Sequence, residues 1–195
     1  RYTRKLGTNC FTSTRPGGDD APALDSSYGT FPPEISFFGT GDYREPTIMV
    51  ENATGDRLVE LLYDGYEILQ DKPKISGIPS MTGGETLVLH LRDRITQLAA
   101  DLYYTVYPDC SVIARRIVYR NGGTTRATLR RAYSFALALP GQDYDVMTLF
   151  GGWARERQIE RRALHHGVIS VDSKRTTSSS ALNPFIGIMS KETTE

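Results

Sequence analysis

The stretch Leu98-Ala99-Ala100-Asp101-Leu102-Tyr103-Tyr104-Thr105-Val106-Tyr107 decides the fold class. Leu98, Ala100, Leu102, Tyr104 and Val106 fall on one side of an extended chain, and Ala99, Asp101, Tyr103, Thr105 and Tyr107 on the other. That is the two-residue period of a β-strand. Leu87, Leu89 and Leu91 alternate in the same way. So does the run from Leu129 to Leu139, in which Leu129, Tyr133, Phe135, Leu137 and Leu139 share a face opposite small or polar side chains, the pattern of a sheet packed on one side. The helical period is nowhere sustained.

Turn chemistry separates these runs. Ala53-Thr54-Gly55-Asp56, Met81-Thr82-Gly83-Gly84, Tyr107-Pro108-Asp109, Asn121-Gly122-Gly123 and Pro140-Gly141-Gln142-Asp143 each carry residues suited to tight reversals. About ten strands joined by short connections predict an all-β fold of two packed antiparallel sheets, a sandwich or barrel with little helix. No internal repeat of solenoid length is present. Residues 7–36 are rich in Gly, Pro, Ser, Thr and Asp, with Arg15-Pro16-Gly17-Gly18 and Phe31-Pro32-Pro33 as punctuation. We therefore expect residues 1–36 to be an irregular segment lying on the sandwich and residues 37–195 to form the sandwich itself.

Composition excludes several classes. Lys and Arg number 23 and Asp and Glu 23, so no global field favours nucleic acid or an anionic membrane surface. No apolar run approaches the length of a membrane span, and the basic start Arg1-Tyr2-Thr3-Arg4-Lys5 is not followed by the apolar stretch of a signal peptide. The expected location is the cytoplasm, where Cys10 and Cys110 are free thiols rather than a disulfide framework. Arg1 is not a methionine, and the strand-like Ile186-Gly187-Ile188-Met189 runs directly into Ser190-Lys191-Glu192. Both ends read as cut, as in a domain excised from a longer protein.

Few residues invite chemistry. Phe38-Gly39-Thr40-Gly41-Asp42-Tyr43-Arg44-Glu45-Pro46 sets a carboxylate, a phenol and a guanidinium beside two glycines. Asp and Arg hydrogen-bond neighbouring sugar hydroxyls as acceptor and forked donor, and an aromatic ring offers a surface to a sugar face. The same residues also suit a plain hairpin turn. Trp153-Ala154-Arg155-Glu156-Arg157 surrounds the only tryptophan with charge, as in a strand with cross-strand ion pairs or in a subunit interface, where Trp and Arg are enriched. Among the carboxylates Asp42, Asp101, Asp109, Asp143, Asp145 and Glu156, no two have the setting of a glycosidase acid/base pair. Adjacent His165 and His166 would face opposite sides of a strand and cannot readily chelate one metal. Thr176-Thr177-Ser178-Ser179-Ser180 lacks a nucleophile motif, and no phosphate-cradling glycine loop occurs. We expect no cofactor and no metal.

Taken in order, Phe38 to Pro46, Gly151-Gly152-Trp153-Ala154-Arg155-Glu156-Arg157 and Asn183-Pro184-Phe185 closely resemble the amino-terminal domain of family 36 glycoside hydrolases, the bacterial-type α-galactosidases. Leu137-Ala138-Leu139-Pro140, Tyr144-Asp145 and Glu160-Arg161 add to the likeness, which covers roughly residues 35 to 195. The resemblance implies a β-supersandwich ahead of a (β/α)8 catalytic barrel and a small carboxy-terminal β-domain. The catalytic aspartates would belong to that barrel, one within a Lys-Trp-Asp-Met-Asn-Arg type motif that is absent from this sequence. It further implies a homo-oligomer acting on α-galactoside oligosaccharides, in which Asp42 and Arg44, with Tyr43 and Phe38, reach a neighbouring subunit's substrate site. Trp153, Arg155 and Arg157 would be structural or interface residues. One departure stands out: family members often carry a His where Ser180 lies, so any contact of that His is not expected here. Two other readings stay open at this point: a free-standing carbohydrate-binding module, and a purely structural assembly domain in which Asp42 and Arg44 pair internally.

Overall fold

The computed structural model describes residues 34–38, 45–137, 139, 143–173 and 181–192. The chain divides into two compact units, Arg1–Ala138 and Leu139–Glu195. The described strands of the first unit are β1 (Ile48–Glu51), β2 (Leu62–Leu69), β3 (Glu85–Arg92), β4 (Leu98–Tyr107), β5 (Val112–Asn121) and β6 (Thr128–Ala132). They form a four-stranded sheet in the order β2-β3-β4-β5 and a two-stranded sheet β1-β6. In the second unit β7 (Tyr144–Gly152), β8 (Arg155–Ala163) and β9 (Leu182–Ser190) pair in the order β8-β7-β9. Every strand pairing is antiparallel. Among the described residues the only helical element is one 3-10 turn at Pro108–Cys110, so the expected all-β class is observed.

The core of the first unit follows from the alternation in β4. Leu98, Ala100 and Leu102 join Leu91 of β3 and Ile48 and Val50 of β1 in one cluster, together with Ile35, Val59 and Leu61. The two sheets thus pack face to face, as their one-sided apolar patterns require. Leu91 and Leu102 are at most 2% exposed, and burying each contributes about 1.5–3 kcal/mol. β1 has only four residues and cannot cover a ten-residue strand. Val106, on the core face of β4, is accordingly exposed, whereas Thr105 and Tyr107 on the opposite face are buried. The hydroxyl of Thr105 is satisfied there by that of Thr86 across the β3–β4 pair at 2.8 Å.

One expectation is corrected. The alternating run from Leu129 to Leu139 is not one strand: β6 stops at Ala132. Its partner β1 begins at Ile48 opposite Ala132, and beyond it the Thr47 carbonyl accepts from Tyr133 N at 2.8 Å. The Ser134 carbonyl is taken by the Arg115 side chain at 2.7 Å. Among the described residues no strand pairs with the chain after Ala132, and the apolar face is not buried: Leu129, Tyr133, Phe135 and Leu137 are all exposed.

The β3–β4 connection is held by a buried carboxylate. Asp93 Oδ1 accepts from Ile95 N at 2.7 Å and Thr96 N at 3.0 Å, while Oδ2 accepts from Glu60 N at 2.8 Å. A short acidic side chain organises a reversal by receiving backbone donors two and three residues on. Here it also fastens the segment that leads into β2 through Val59 and Leu61.

Candidate functional site

Asp42, Tyr43 and Arg44 lie outside the described residues, but the two ends of the segment that carries them do not. Ser36 and Thr47 are both buried, Thr47 completely. Thr47 N donates to the Ser36 carbonyl at 2.9 Å, and Ile48 N reaches the same oxygen at 3.3 Å. The side chains reinforce this closure. Thr47 N also reaches Ser36 Oγ at 2.9 Å, Ser36 N donates to Thr47 Oγ1 at 3.3 Å, and the two hydroxyl oxygens are 3.0 Å apart. Ser36 Oγ donates to the Glu45 carbonyl at 3.3 Å, and the Glu45 carboxylate pairs with Arg131 of β6. Next to Ser36, Phe37 bridges Ile48 in parallel, and the Phe38 side chain is exposed.

Glu34 anchors the same segment one step earlier. Its carboxylate accepts from Tyr104 Oη at 2.5 Å and faces Arg115 Nη2 at 3.0 Å. Arg115 lies 5.3 Å from the ring centres of both Tyr104 and Phe135. Burial, then the hydrogen bond to the Glu34 carboxylate, raises the Tyr104 phenol well above its ordinary range. Burial also pushes the Tyr119 phenol up to about 12, against the opposing pull of Arg115. Sequence reading missed this cluster. Its signal was an arginine on the face that Ile113, Ile117 and Tyr119 also occupy.

The second unit carries the remaining candidates on one hairpin. Gly152 pairs with Arg155 across the two-residue connection Trp153-Ala154. A Cβ on Gly151 would sit 2.0 Å from the Arg155 carbonyl, so only glycine permits that approach. Ala154 (φ 63°) and Arg157 (φ 59°) are both left-handed, and Ala154 N donates to Glu156 Oε1 at 3.0 Å. Trp153 at the tip is 92% exposed; Arg155 and Arg157 are exposed as well. Further along, Arg161 pairs with Asp145 of β7 at 2.5 Å, the cross-strand pairing that the charge pattern predicts.

Several of the described carboxylates hold structure together. Asp101 is buried in the middle of β4, bonded to His90 Nδ1 at 2.8 Å and closed by the Arg120 guanidinium. Asp109 lies in the 3-10 turn, and Asp143 pairs with Lys191 at 3.3 Å. Asp145 and Glu156 are engaged with Arg161 and the Ala154 backbone as above. Among the described residues no group of three or more His, Cys, Asp or Glu is placed to hold a metal ion. His165 and His166 are exposed beyond the end of β8. No described helix is long and apolar enough to cross a membrane.

Known proteins share this fold. Probable alpha-galactosidase C of Aspergillus terreus is 37% identical over 161 residues, covering 80% of this chain and 22% of that protein. Crystal structures of two variants of the family 36 α-galactosidase AgaA from Geobacillus stearothermophilus, one in complex with raffinose and one with stachyose, superimpose with TM-scores of 0.82 and 0.83. Each is 34% identical and covers 95% of this chain and 26% of its own. The chain therefore spans about a quarter of the length of the relatives it matches. Residues 2–195 match the sequence model of the glycosyl hydrolase family 36 N-terminal domain, and the chain belongs to that family.

Proposed function

We propose that this chain is the non-catalytic N-terminal domain of an α-galactosidase that removes terminal α-D-galactosyl residues from raffinose-type oligosaccharides with retention. The observation that carries the reading is the match of residues 2–195 to a domain that makes up about a quarter of enzymes called α-galactosidases. Raffinose and stachyose in two of the related structures support the substrate class. Retention needs two carboxylates about 5 to 5.5 Å apart. Asp101, Asp143, Asp145 and Glu156 are instead tied to His90, Arg120, Lys191, Arg161 and backbone, which supports a structural use for them. The reaction then belongs to a (β/α)8 barrel further along the parent polypeptide. On this reading the protein works as a homo-oligomer in the cytoplasm, a setting that suits the exposed free thiol of Cys110.

Within that enzyme Asp42 and Arg44, assisted by Tyr43 and Phe38, contact the sugar beyond the terminal galactose in a neighbouring subunit. Exposure of the Phe38 ring and the closed base formed by Ser36 and Thr47 support this role. The test is kinetic. The isolated chain should not turn over nitrophenyl α-galactoside, whereas the full-length protein should. Asp42→Ala in the full-length enzyme should weaken raffinose turnover more than aryl-galactoside turnover; equal losses on both substrates would sink the trans-site role.

A further inference from the structure

We propose that Ser36, Thr47 and the Glu45–Arg131 pair are positioning residues that set substrate preference, by fixing both ends of the segment carrying Asp42, Tyr43 and Arg44. The proposal rests on the reading of those three residues as substrate contacts. It is carried by the hydrogen-bond geometry at residues 36 and 47, which strand pairing alone does not require.

One assignment satisfies every proton there. If the Ser36 hydroxyl donates to the Glu45 carbonyl, its two lone pairs remain for Thr47 N–H and the Thr47 hydroxyl. Thr47 Oγ1 then still accepts from Ser36 N. Both hydroxyl protons and both backbone N–H groups are thus satisfied, although Thr47 is completely buried and Ser36 is 6% exposed. Because an unmade bond in such a place is costly, the pair tolerates one relative arrangement of residues 36 and 47. The Thr47 carbonyl passes that constraint on by accepting from Tyr133 N at 2.8 Å. Outside the buried pair, Glu45 is tied to Arg131, whose guanidinium lies 5.4 Å from the centre of the Tyr133 ring.

Stability of the unit does not depend on these hydroxyls alone, since Ile35 and Ile48 beside them belong to the hydrophobic core. Removing a hydroxyl should therefore leave the domain folded while loosening the ends of the segment. Affinity gained from contacts on such a segment depends on its being held in place before substrate arrives. The loss should fall on substrates that extend past the terminal galactose.

The experiment uses the full-length enzyme with raffinose and a nitrophenyl α-galactoside. In Ser36→Ala and Thr47→Val the KM for raffinose should rise about five- to tenfold with little change in kcat, while kcat/KM for the aryl galactoside stays within about twofold. Thr47→Ser, which keeps the hydroxyl, should restore the raffinose KM. Arg131→Gln lies nearer the surface and leaves the buried pair intact; it should raise that KM about two- to threefold through the Glu45 end alone. Equal losses on both substrates would overturn the positioning role. So would unchanged raffinose kinetics in Ser36→Ala and Thr47→Val when Asp42→Ala is impaired, an outcome that leaves the substrate-contact reading standing. Unchanged raffinose kinetics in Asp42→Ala would overturn that reading, and this proposal with it.

Discussion

Arg115 and Glu34 form an ion pair at 3.0 Å in which the arginine side chain is 5% exposed and the glutamate 40%. Arg115 lies near the rings of Tyr104 and Phe135 and donates to the Ser134 carbonyl. One guanidinium therefore joins β5 to the segment before Ser36 and to the chain leaving β6. Removing it leaves the Ser134 carbonyl without that donor and the Glu34 carboxylate without its counter-charge, held by the Tyr104 hydroxyl. Arg115→Ala should destabilise the domain by about 3 kcal/mol, the low end for breaking a buried ion pair, because Glu34 keeps some water contact. Arg115→Lys should recover little, since an ammonium cannot reproduce a planar fork beside two rings. Urea unfolding of the three proteins checks this, and wild-type stability in Arg115→Lys would contradict it.

The buried phenols predict a loss of stability in alkali. Burial, and for Tyr104 the Glu34 carboxylate, raises both Tyr104 and Tyr119 above the ordinary phenol value of 10.0. The fold thus favours the neutral form. That contribution is complete below pH 10 and declines as the pH rises, for Tyr119 until about 12. Tyr119→Phe should remove part of this decline while leaving neutral-pH stability unchanged or slightly raised, because the buried Tyr119 hydroxyl has no hydrogen-bond partner among the described residues. Urea midpoints followed against pH for both proteins test the sign. An identical alkaline decline in Tyr119→Phe would show that this phenol is not involved.

The turn at Asp93 offers a cleaner case, because one carboxylate serves three backbone donors. Asp93→Ala should cost about 2–3 kcal/mol, within the range for losing hydrogen bonds to a charged group in a buried place. Asp93→Asn keeps one acceptor oxygen and should fall between the two. It can serve Ile95 and Thr96 or Glu60, but not both. A midpoint shift with an unchanged denaturant slope would confirm that stability alone has changed.

These cases show what the sequence exposes and what it hides. The alternation in Leu98–Tyr107 identifies β4 because a strand's faces are set by its own residues. The run from Leu129 to Leu139 misleads because its burial depends on the length of another strand, and β1 begins only at Ile48. Asp101 and Arg115 were visible as charges inside apolar strands, but their partners His90, Arg120 and Glu34 are brought up by pairing and by a segment distant in sequence. Ser36 and Thr47 carry no signal of their own. Small hydroxyl residues near a Gly-rich stretch are ordinary, and only their mutual burial distinguishes them.

Trp153 allows stability and the proposed assembly to be tested separately. Its side chain is 92% exposed, so Trp153→Ala should change the unfolding free energy of the isolated domain, measured in urea, by no more than about 0.5 kcal/mol. Yet the hairpin presenting it holds Ala154 and Arg157 in left-handed conformations, each unfavourable by roughly 1 kcal/mol for a residue with a side chain. Strain of this kind, around an indole turned to solvent and flanked by exposed arginines, fits an anchor for a partner surface. If the proposed homo-oligomer uses this anchor, sedimentation of full-length Trp153→Ala should show self-association weakened at least about tenfold, the loss of an anchor residue near 1.4 kcal/mol or more. Wild-type assembly together with wild-type stability would leave the indole with neither role and remove this hairpin from the interface.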